Sequence, residues 1–255
     1  KRNKDKVESL KNAIHYYGEA GDIGKAIETA RTRYKMSRKV GDRLESQLLM
    51  AKYLYENGQE NNALKNWRSI SKKSKRQRNE MDESEWSEIL GESWYQLGEE
   101  SRRKFEDYTI IERDGQVMDK IGRKMNYYEE LVKNYSTSIR GGSPKWTSMS
   151  RFRIGEAGEE LADEIANIYR SPNSNLKVND ERQMKQFVSR LRNTAKKYYS
   201  DNVLARNKDP AAFKRNHWID RSHVKLSGYH ALSNKYTIDD ELPIAGNILV
   251  PQQWS

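Results

Sequence analysis

The sequence predicts an all-α fold, and composition and the scarcity of strand signals both support that prediction. Of the 255 residues, 35% are hydrophobic and 33% are charged, which suits thin layers of amphipathic helices with long solvated faces. Alternating Val, Ile and Thr residues, which would indicate strands, are scarce, and there are only 5 prolines. Aromatic residues make up 10% of the chain, so it is not a disordered sequence.

Composition also excludes several kinds of chemistry. The chain has no cysteine, which excludes disulfides, zinc-thiolate sites and cysteine nucleophiles. No apolar run approaches the roughly 18 residues of a membrane-spanning helix. The chain begins at Lys1 rather than at a methionine, so we expect a mature or trimmed fragment that a signal peptide or lipid anchor could precede.

Charge is distributed unevenly along the chain. The formal net charge is +10, which by itself favours a nucleic-acid or anionic partner. Residues 65–78 hold seven basic residues and no acid, whereas residues 81–100 hold seven acidic residues and no base. The net charge is therefore a poor description of any single surface.

Internal repetition organises the first half of the chain. Three segments align on their turn glycines, Gly21, Gly58 and Gly98, which lie 37 and 40 residues apart. Ala26 and Ala63 follow the first two glycines at the same offset. Because a left-handed residue that ends a helix is usually glycine, each unit is predicted to be helix, tight turn, helix.

A fourth unit begins near residue 143. Ser143 and Pro144 are typical of a helix N-cap and first helical position. Gly155 aligns with Gly91 of the third unit, and Gly158 follows one turn later. Glycine lowers helix propensity, so we interpret these small residues as sites where a partner helix approaches closely.

This pattern resembles the tetratricopeptide repeat (TPR) family over about residues 7–170. The family's unit is about 34 residues long, so the spacings here are larger, and no unit has the family's closing proline. The resemblance implies antiparallel helix pairs stacked as a right-handed α-solenoid. The residues that carry it occupy the family's small, aromatic and turn positions: Tyr17, Gly21, Ala26, Ala51, Gly58, Ala63, Trp67, Leu90, Gly91, Trp94 and Gly98.

A narrower resemblance covers residues 135–165 and the segments that follow. The run Gly-Ser-Pro-x-Trp and then Arg-Ile-Gly-Glu, a polar loop containing proline, and two more helices are similar to TPR proteins of the deltaproteobacterial gliding-motility envelope machinery. The similarity implies a periplasmic or cell-envelope scaffold, while a cytoplasmic location stays open.

The predicted organisation has three parts. Residues 1–170 hold about four TPR-like units, with an irregular helix over 101–140; one long helix is predicted at 118–139, after a turn at Asp114-Gly115. Residues 171–232 are expected to add helices to the same solenoid, including a basic amphipathic helix at 180–200 and a last helix within 210–232 that has a stop near Gly228. Residues 233–255 contain two prolines and a glycine and are expected to form an extended tail.

No residues in the sequence form a persuasive catalytic or metal-binding motif. His217, His223 and His230 are spaced six and seven residues apart near Asp220, which does not place ligands on adjacent helical turns. Glu92, in a Gly-Glu-Ser triplet, resembles the general acid of lytic transglycosylases, but its neighbours fit the repeat. We therefore expect no enzyme activity, no catalytic residues, no metal and no cofactor.

The sequence favours a protein-interaction scaffold that binds a partner segment in a concave groove. A nucleic-acid or anionic-polymer binder that uses the basic helices is the alternative, and an enzyme-associated helical domain is a third interpretation. In TPR proteins the first helix of each pair lines the groove, and the corresponding positions here are mostly acidic. The resemblance implies a groove that attracts a basic protein segment and repels nucleic acid, with a basic convex face. The predicted partner-binding residues are Glu45, Tyr55, Glu56, Glu85, Glu88, Glu92, Tyr95, Phe152, Glu156 and Glu159.

Overall fold

The computed structural model describes residues 2–110, 117–171 and 178–233, and over these ranges the chain is all-helical. Nine α-helices and one short 3-10 helix are present in the described ranges, without any strand, which confirms the predicted fold class. The α-helices are α1 (Arg2–Glu19), α2 (Ile23–Met36), α3 (Val40–Glu56), α4 (Glu60–Arg76), α5 (Glu83–Asp107), α6 (Val117–Arg140), α7 (Pro144–Arg170), α8 (Val178–Lys208) and α9 (His217–Ser233). The 3-10 helix is Arg78–Glu80.

The first two helix pairs form as the repeat predicts. Gly21 and Gly58 adopt φ angles of +77° and +72°, so each ends a helix in the left-handed region and reverses the chain within a few residues. Asp22 then caps α2, because its side chain accepts a hydrogen bond from the Lys25 backbone N–H. Helix α2 packs against both α1 and α3, and α3 packs against α4.

The turn predicted at Gly98 is wrong, because α5 continues through this glycine to Asp107. Gly98 serves close packing instead: a Cβ there would lie 2.5 Å from ring atoms of Tyr135 on α6. Helix α6 confirms the long helix predicted at 118–139. The turn predicted at Asp114-Gly115 lies outside the described residues.

The fourth unit begins where the Ser143-Pro144 signal predicts. Helix α7 starts at Pro144. A Cβ on Gly155 would lie 2.6 Å from the Tyr199 ring, and one on Gly158 would lie 3.1 Å from the Tyr128 hydroxyl oxygen. These two glycines therefore allow close helix packing, as interpreted from the sequence.

The two last helices differ from their predicted bounds, and α9 begins at His217 rather than at residue 210. Helix α8 confirms the helix predicted at 180–200 but runs from Val178 to Lys208. Helix α9 passes Gly228 and continues to Ser233, so the predicted stop near Gly228 is wrong. Gly228 is exposed and a Cβ there would meet no atom within 4 Å, so nothing in its surroundings requires a turn. The predicted extended tail lies outside the described residues beyond position 233.

The chain forms two compact units, which are described separately. Unit 1 comprises residues 1–100 and 133–147, and unit 2 comprises residues 101–132 and 148–255. The boundaries between the units fall within α5, α6 and α7. The division predicted from the sequence at residue 170, between TPR-like repeats and additional helices, stays a prediction. In unit 1, Ala63 and Trp67 lie in the hydrophobic core that α1–α5 build, as predicted.

Candidate partner-binding face

The predicted partner-binding residues come from three helices and both units. Helix α3 supplies Glu45, Tyr55 and Glu56. Helix α5 supplies four more residues and α7 supplies the last three. The residues on α3 and α5 belong to unit 1, and those on α7 belong to unit 2. The two sets differ in what their carboxylates contact.

In unit 1, Glu45 is held by two cations. It lies 2.7 Å from Nη2 of Arg33 on α2 and 2.6 Å from Nζ of Lys11 on α1. Burial alone would raise the pKa of Glu45, but the Lys11 hydrogen bond and the Arg33 charge together lower it. Glu45 is therefore a charged partner within the fold.

Arg33 is the centre of this arrangement, and its side chain is only 1% exposed. Its guanidinium donates to the Val7 carbonyl of α1, and to the Asp42 carbonyl and Ser46 hydroxyl of α3. One buried side chain thus links three helices through directional hydrogen bonds.

Three more of the predicted carboxylates, those of Glu85, Glu88 and Glu92, lie on α5. Glu85 lies against the backbone of α3, since a Cβ on Gly41 would overlap its carboxylate. Burial raises the pKa of Glu85, and the nearby charges of Asp82, Asp42 and Glu45 raise it further. The acids of α3 and α5 are therefore close enough to oppose one another's ionisation.

Glu88 and Glu92 continue this surface along α5. Glu88 is exposed, and it accepts hydrogen bonds from the Ser143 hydroxyl at 2.5 Å and the Trp146 indole N–H at 3.0 Å. Burial raises the pKa of the half-buried Glu92 to about 7; the charge of Lys145 opposes this rise, and Glu88 adds to it. We call Glu45, Glu85, Glu88 and Glu92 together the acidic face of unit 1.

The two tyrosines predicted for this surface have different positions. Tyr55 is 41% exposed and packs against the Trp67 ring, with ring centroids 5.7 Å apart. Tyr95 is only 4% exposed and lies between the rings of Tyr135 and Trp146. The prediction that Tyr95 is an accessible apolar contact is therefore wrong, because helix packing covers its ring. Tyr55 is accessible, as is the neighbouring Glu56.

In unit 2, the predicted residues Glu156 and Glu159 form salt bridges with cations of the same unit. Glu156 lies 2.9 Å from Nη1 of Arg102, 2.8 Å from Nη1 of Arg153 and 3.3 Å from Nη2 of Arg221. Glu159 accepts a 2.9 Å hydrogen bond from the Tyr199 hydroxyl and lies 2.5 Å from the Lys225 ammonium.

Those contacts correct the expected acidity of the α7 positions. The acids along one helix face give no information about the cations that neutralise them, which here lie on α5, on α7 itself and on α9. Burial and the adjacent Glu159 carboxylate both raise the pKa of Tyr199, which keeps its hydroxyl a donor. Phe152 is 1% exposed between Tyr199 and Trp218, so its predicted role as an accessible contact is also wrong.

A basic stripe runs along α4 in unit 1. Its first four cations are spaced three or four residues apart and a fifth follows directly. Their side chains are exposed, and none forms a salt bridge within the described part of the chain; they are Lys65, Arg68, Lys72, Lys75 and Arg76. Lys75 lies over the Trp94 ring at 4.9 Å, and the adjacent Arg78 lies over the Trp86 ring at 4.3 Å. These rings are covered by cations, which leaves them poorly placed to stack on bases.

Neither a metal centre nor a membrane span is found in the described residues. No group of three His, Asp or Glu side chains in these ranges could hold a metal ion. His217 and His223 are exposed, while the side chain of His230 lies outside the described set. None of the described helices combines the length and apolar character needed to cross a bilayer.

Compared with protein-family models and with curated proteins, the chain matches none. The TPR resemblance therefore rests on the repeat residues and on the helix pairs described above. The residues that sequence reasoning missed were the internal cations, Arg33 and Arg102. A signal for Arg33 existed, because it falls on the buried stripe of α2 with Ala26 and Ala30.

Proposed function

We propose that this chain is a non-catalytic, TPR-like scaffold that binds a basic segment of a partner protein on the acidic face of unit 1. The helix pairs turning at Gly21 and Gly58 support the TPR-like assignment, to which a right-handed solenoid belongs. The observation that carries the binding proposal is the crowding of carboxylates on α3 and α5.

Crowded carboxylates favour a cationic ligand for an electrostatic reason. The pKa values of Glu85 and Glu92 are both raised, primarily by burial and additionally by neighbouring acids. An arginine or lysine placed between them replaces that repulsion with attraction and charge-assisted hydrogen bonds. Glu56 forms only an exposed, 3.9 Å salt bridge with Lys52 of the same helix, which a partner's cation can replace at low cost. Tyr55 adds an exposed ring for the partner's aliphatic stems.

The α7 glutamates are left out of the proposed site. Glu156 and Glu159 already have cationic partners in unit 2, so binding a partner there would first require breaking those pairs. The proposed site therefore consists of Tyr55, Glu56, Glu85, Glu88 and Glu92, while Glu45 is already paired with Lys11 and Arg33 within the fold.

The binding proposal can be tested with variants that remove charge without changing size. A partner captured by affinity pull-down and identified by mass spectrometry would be divided into overlapping synthetic peptides for calorimetric titration. Glu85→Gln combined with Glu92→Gln should weaken binding of the basic peptide by about ten-fold or more. Glu88 is left intact because Ser143 and Trp146 depend on it.

The matched control removes two exposed carboxylates elsewhere in unit 1. Glu8→Gln with Glu28→Gln produces the same change in net charge on α1 and α2. If the control pair weakens binding as much as the α5 pair does, the acidic face is not the site.

A second candidate function is binding of nucleic acid or another anionic polymer, and the basic stripe of α4 favours it. Cations without acidic partners can contact phosphates and release counterions, giving affinity that falls steeply with salt. Fluorescence anisotropy with duplex DNA would compare the wild-type chain with a Lys65→Gln, Arg68→Gln variant. Salt-dependent binding lost in that variant would favour this candidate over the acidic face.

The cellular setting belongs to the same proposal. The similarity of residues 135–165 to motility-machinery proteins leads us to propose a cell-envelope location. Fractionation of cells expressing the tagged natural protein tests this directly, and recovery with cytoplasmic markers would argue against it.

A further inference from the structure

We propose that a cavity in unit 1 binds a phosphate monoester, at a site separate from the acidic face. The cavity has a volume of about 360 Å³ and lies among α2, the α2–α3 connection, α3 and α4. It is lined by Tyr34, Lys35, Ser37, Val40, Arg43, Leu44, Lys73 and Gln77.

The side chains that line the cavity carry positive charge, which favours an anionic ligand. Lys35, Arg43 and Lys73 contribute three positive charges, and no carboxylate lines the cavity. None of these three cations forms a salt bridge with any described residue, in contrast to Arg33 on the same helix pair. The exposed Glu80 is not part of the lining, but it accepts a hydrogen bond from the amide of the lining residue Gln77 at 3.2 Å.

One of the three cations is already held in position. The Lys73 ammonium donates to the Tyr34 hydroxyl at 3.3 Å and to the Gln47 amide oxygen at 3.2 Å. It also lies 5.6 Å from the centre of the Tyr34 ring. These contacts leave the ammonium's full charge unneutralised and reduce the side-chain entropy lost when an anion binds.

The backbone at the start of α3 adds a favourable dipole. Val40, the first residue of this 17-residue helix, lines the cavity, and the preceding Lys39 provides no side-chain cap. The Ser37 hydroxyl is committed to the Arg33 carbonyl at 2.7 Å. An anion in the cavity would therefore lie beside the positive end of the α3 helix dipole, although the Glu85 carboxylate lies against Gly41 in the same first turn.

Size and lining chemistry indicate an ester rather than a bare ion. Cavities of roughly 300–1,000 Å³ hold small organic ligands, so this one exceeds the needs of a single phosphate. Val40, Leu44 and the Tyr34 ring provide an apolar wall beside the three cations. The dianionic phosphate group contacts the three cations, and the organic group of the ester packs against the apolar wall.

The proposal is tested by calorimetric titration of the full chain with defined probes at low salt. Phenyl phosphate should bind at least about five-fold more tightly than inorganic phosphate, because only the ester contacts the apolar wall. A phosphoserine peptide, titrated in parallel, distinguishes a small phosphorylated molecule from a phosphorylated protein as the natural source. Either source is compatible with the site, and the tighter binder identifies it.

Variants then locate the binding. Lys35→Gln and Arg43→Gln should each weaken phenyl phosphate by about ten-fold, because each removes a charge-assisted hydrogen bond. Lys72→Gln, adjacent to Lys73 but outside the cavity, should change affinity by less than about two-fold, the effect of net charge alone. Thermal unfolding of each variant checks that it is folded.

Three results would overturn the proposal. These are no heat of binding for phenyl phosphate at millimolar concentration, equal affinity for phenyl phosphate and inorganic phosphate, or equal weakening by Lys72→Gln and Lys35→Gln. The acidic-face variant Glu85→Gln, Glu92→Gln should retain phenyl phosphate binding, so this site and the proposed partner-binding function can fail independently.

Discussion

Arg33 is a single charged side chain whose removal should affect three helices. It is 1% exposed and pairs with Glu45 while bonding backbone groups of α1 and α3. Arg33→Ala leaves those acceptors unsatisfied and should lower the free energy of unfolding by about 3–5 kcal/mol. Urea denaturation followed by circular dichroism measures the change. Arg31→Ala, at an exposed position of the same helix, should stay within about 0.5 kcal/mol of wild type.

Gly155 gives a second prediction at the residue scale. A Cβ there would lie 2.6 Å from the Tyr199 ring, so Gly155→Leu should overpack unit 2 and lower the free energy of unfolding on the order of 1–3 kcal/mol. Gly228→Leu provides the control, since it makes the same change in a helix at a position with open space around it. If both variants unfold at the same temperature, the close approach of α7 and α8 at Gly155 is contradicted.

Glu92 gives a pH-dependent prediction. Burial, with a contribution from Glu88, raises its pKa to about 7, whereas an unfolded glutamate titrates near pH 4.3. Between these values the folded state binds a proton that the unfolded state does not, so the free energy of unfolding falls as pH rises through this window. From pH 5 to pH 8 the contribution of Glu92 should decline by about 1–3 kcal/mol.

The matched variant isolates this contribution. Glu92→Gln should be more stable than wild type at pH 8 and nearly equal to it at pH 5, as measured by urea denaturation at both values. Glu28→Gln, exposed on α2, should follow the wild-type profile. A Glu92→Gln profile as steep as that of wild type would show that this carboxyl does not titrate near neutrality.

The sequence predicted which glutamates share a helix, but it did not predict which cations they contact. The TPR resemblance places Glu85, Glu88 and Glu92 on one helix, and the three residues do lie on α5. It gave no information about the partners of Glu156 and Glu159, because Arg221 and Lys225 lie on α9, more than sixty residues away along the chain. Charge balance across helices depends on tertiary contacts, which a count along one helix face does not include.

At the scale of elements, a glycine ends a helix at two of the three aligned positions. Gly58 has φ +72°, whereas Gly98 aligns with it but lies inside α5. The same residue type serves a left-handed turn in one case and close contact with Tyr135 in the other. Sequence alignment alone does not separate these two uses, since both select for the absence of a side chain.

Gly58 and Gly24 form a matched pair that tests the turn assignment. Gly58→Ala places a Cβ on a left-handed residue and should lower the free energy of unfolding by about 1 kcal/mol. Gly24→Ala lies within the first turn of α2, where a Cβ would meet Asp22 Oδ1 at an ordinary contact distance of 4.0 Å, and it should leave stability unchanged or raise it by up to about 1 kcal/mol. Thermal unfolding of both variants gives the comparison, and a stabilised Gly58→Ala would rule out the left-handed helix end.

At the scale of the whole molecule, the net charge of +10 conceals surfaces of opposite sign within unit 1. The basic stripe of α4 and the cation-lined cavity coexist with the carboxylates of α3 and α5. Composition alone favours an anionic partner, whereas the local acidic surface is predicted from the groove positions that the TPR resemblance implies. The binding preference of such a chain depends on the charge of the surface that a partner contacts, because salt screens electrostatic attraction beyond about 8–10 Å at physiological ionic strength.

The path of the chain through the two units leads to the last prediction. Unit 1 is not continuous in sequence, since residues 133–147 return to it after residues 101–132 have joined unit 2. The returning segment supplies Tyr135 against Gly98, the Ser138 hydroxyl to the Gly91 carbonyl at 2.7 Å, and the Trp146 indole to Glu88 at 3.0 Å. Helix α5 therefore depends on residues that come 37 to 58 positions later along the chain.

A fragment of residues 1–100 should keep α1–α4, whose core includes Ile14, Leu44 and Ile70, and lose protection in α5. Hydrogen exchange read by mass spectrometry should show residues 83–100 exchanging much faster in the fragment than in the full chain, while α2 and α3 change little. Adding residues 101–147 should restore part of that protection, because the contacts of Tyr135 and Trp146 become available. Equal protection of residues 83–100 in the short fragment and the full chain would mean that the returning segment does not stabilise α5, and the discontinuous unit 1 would have to be redrawn as residues 1–100 alone.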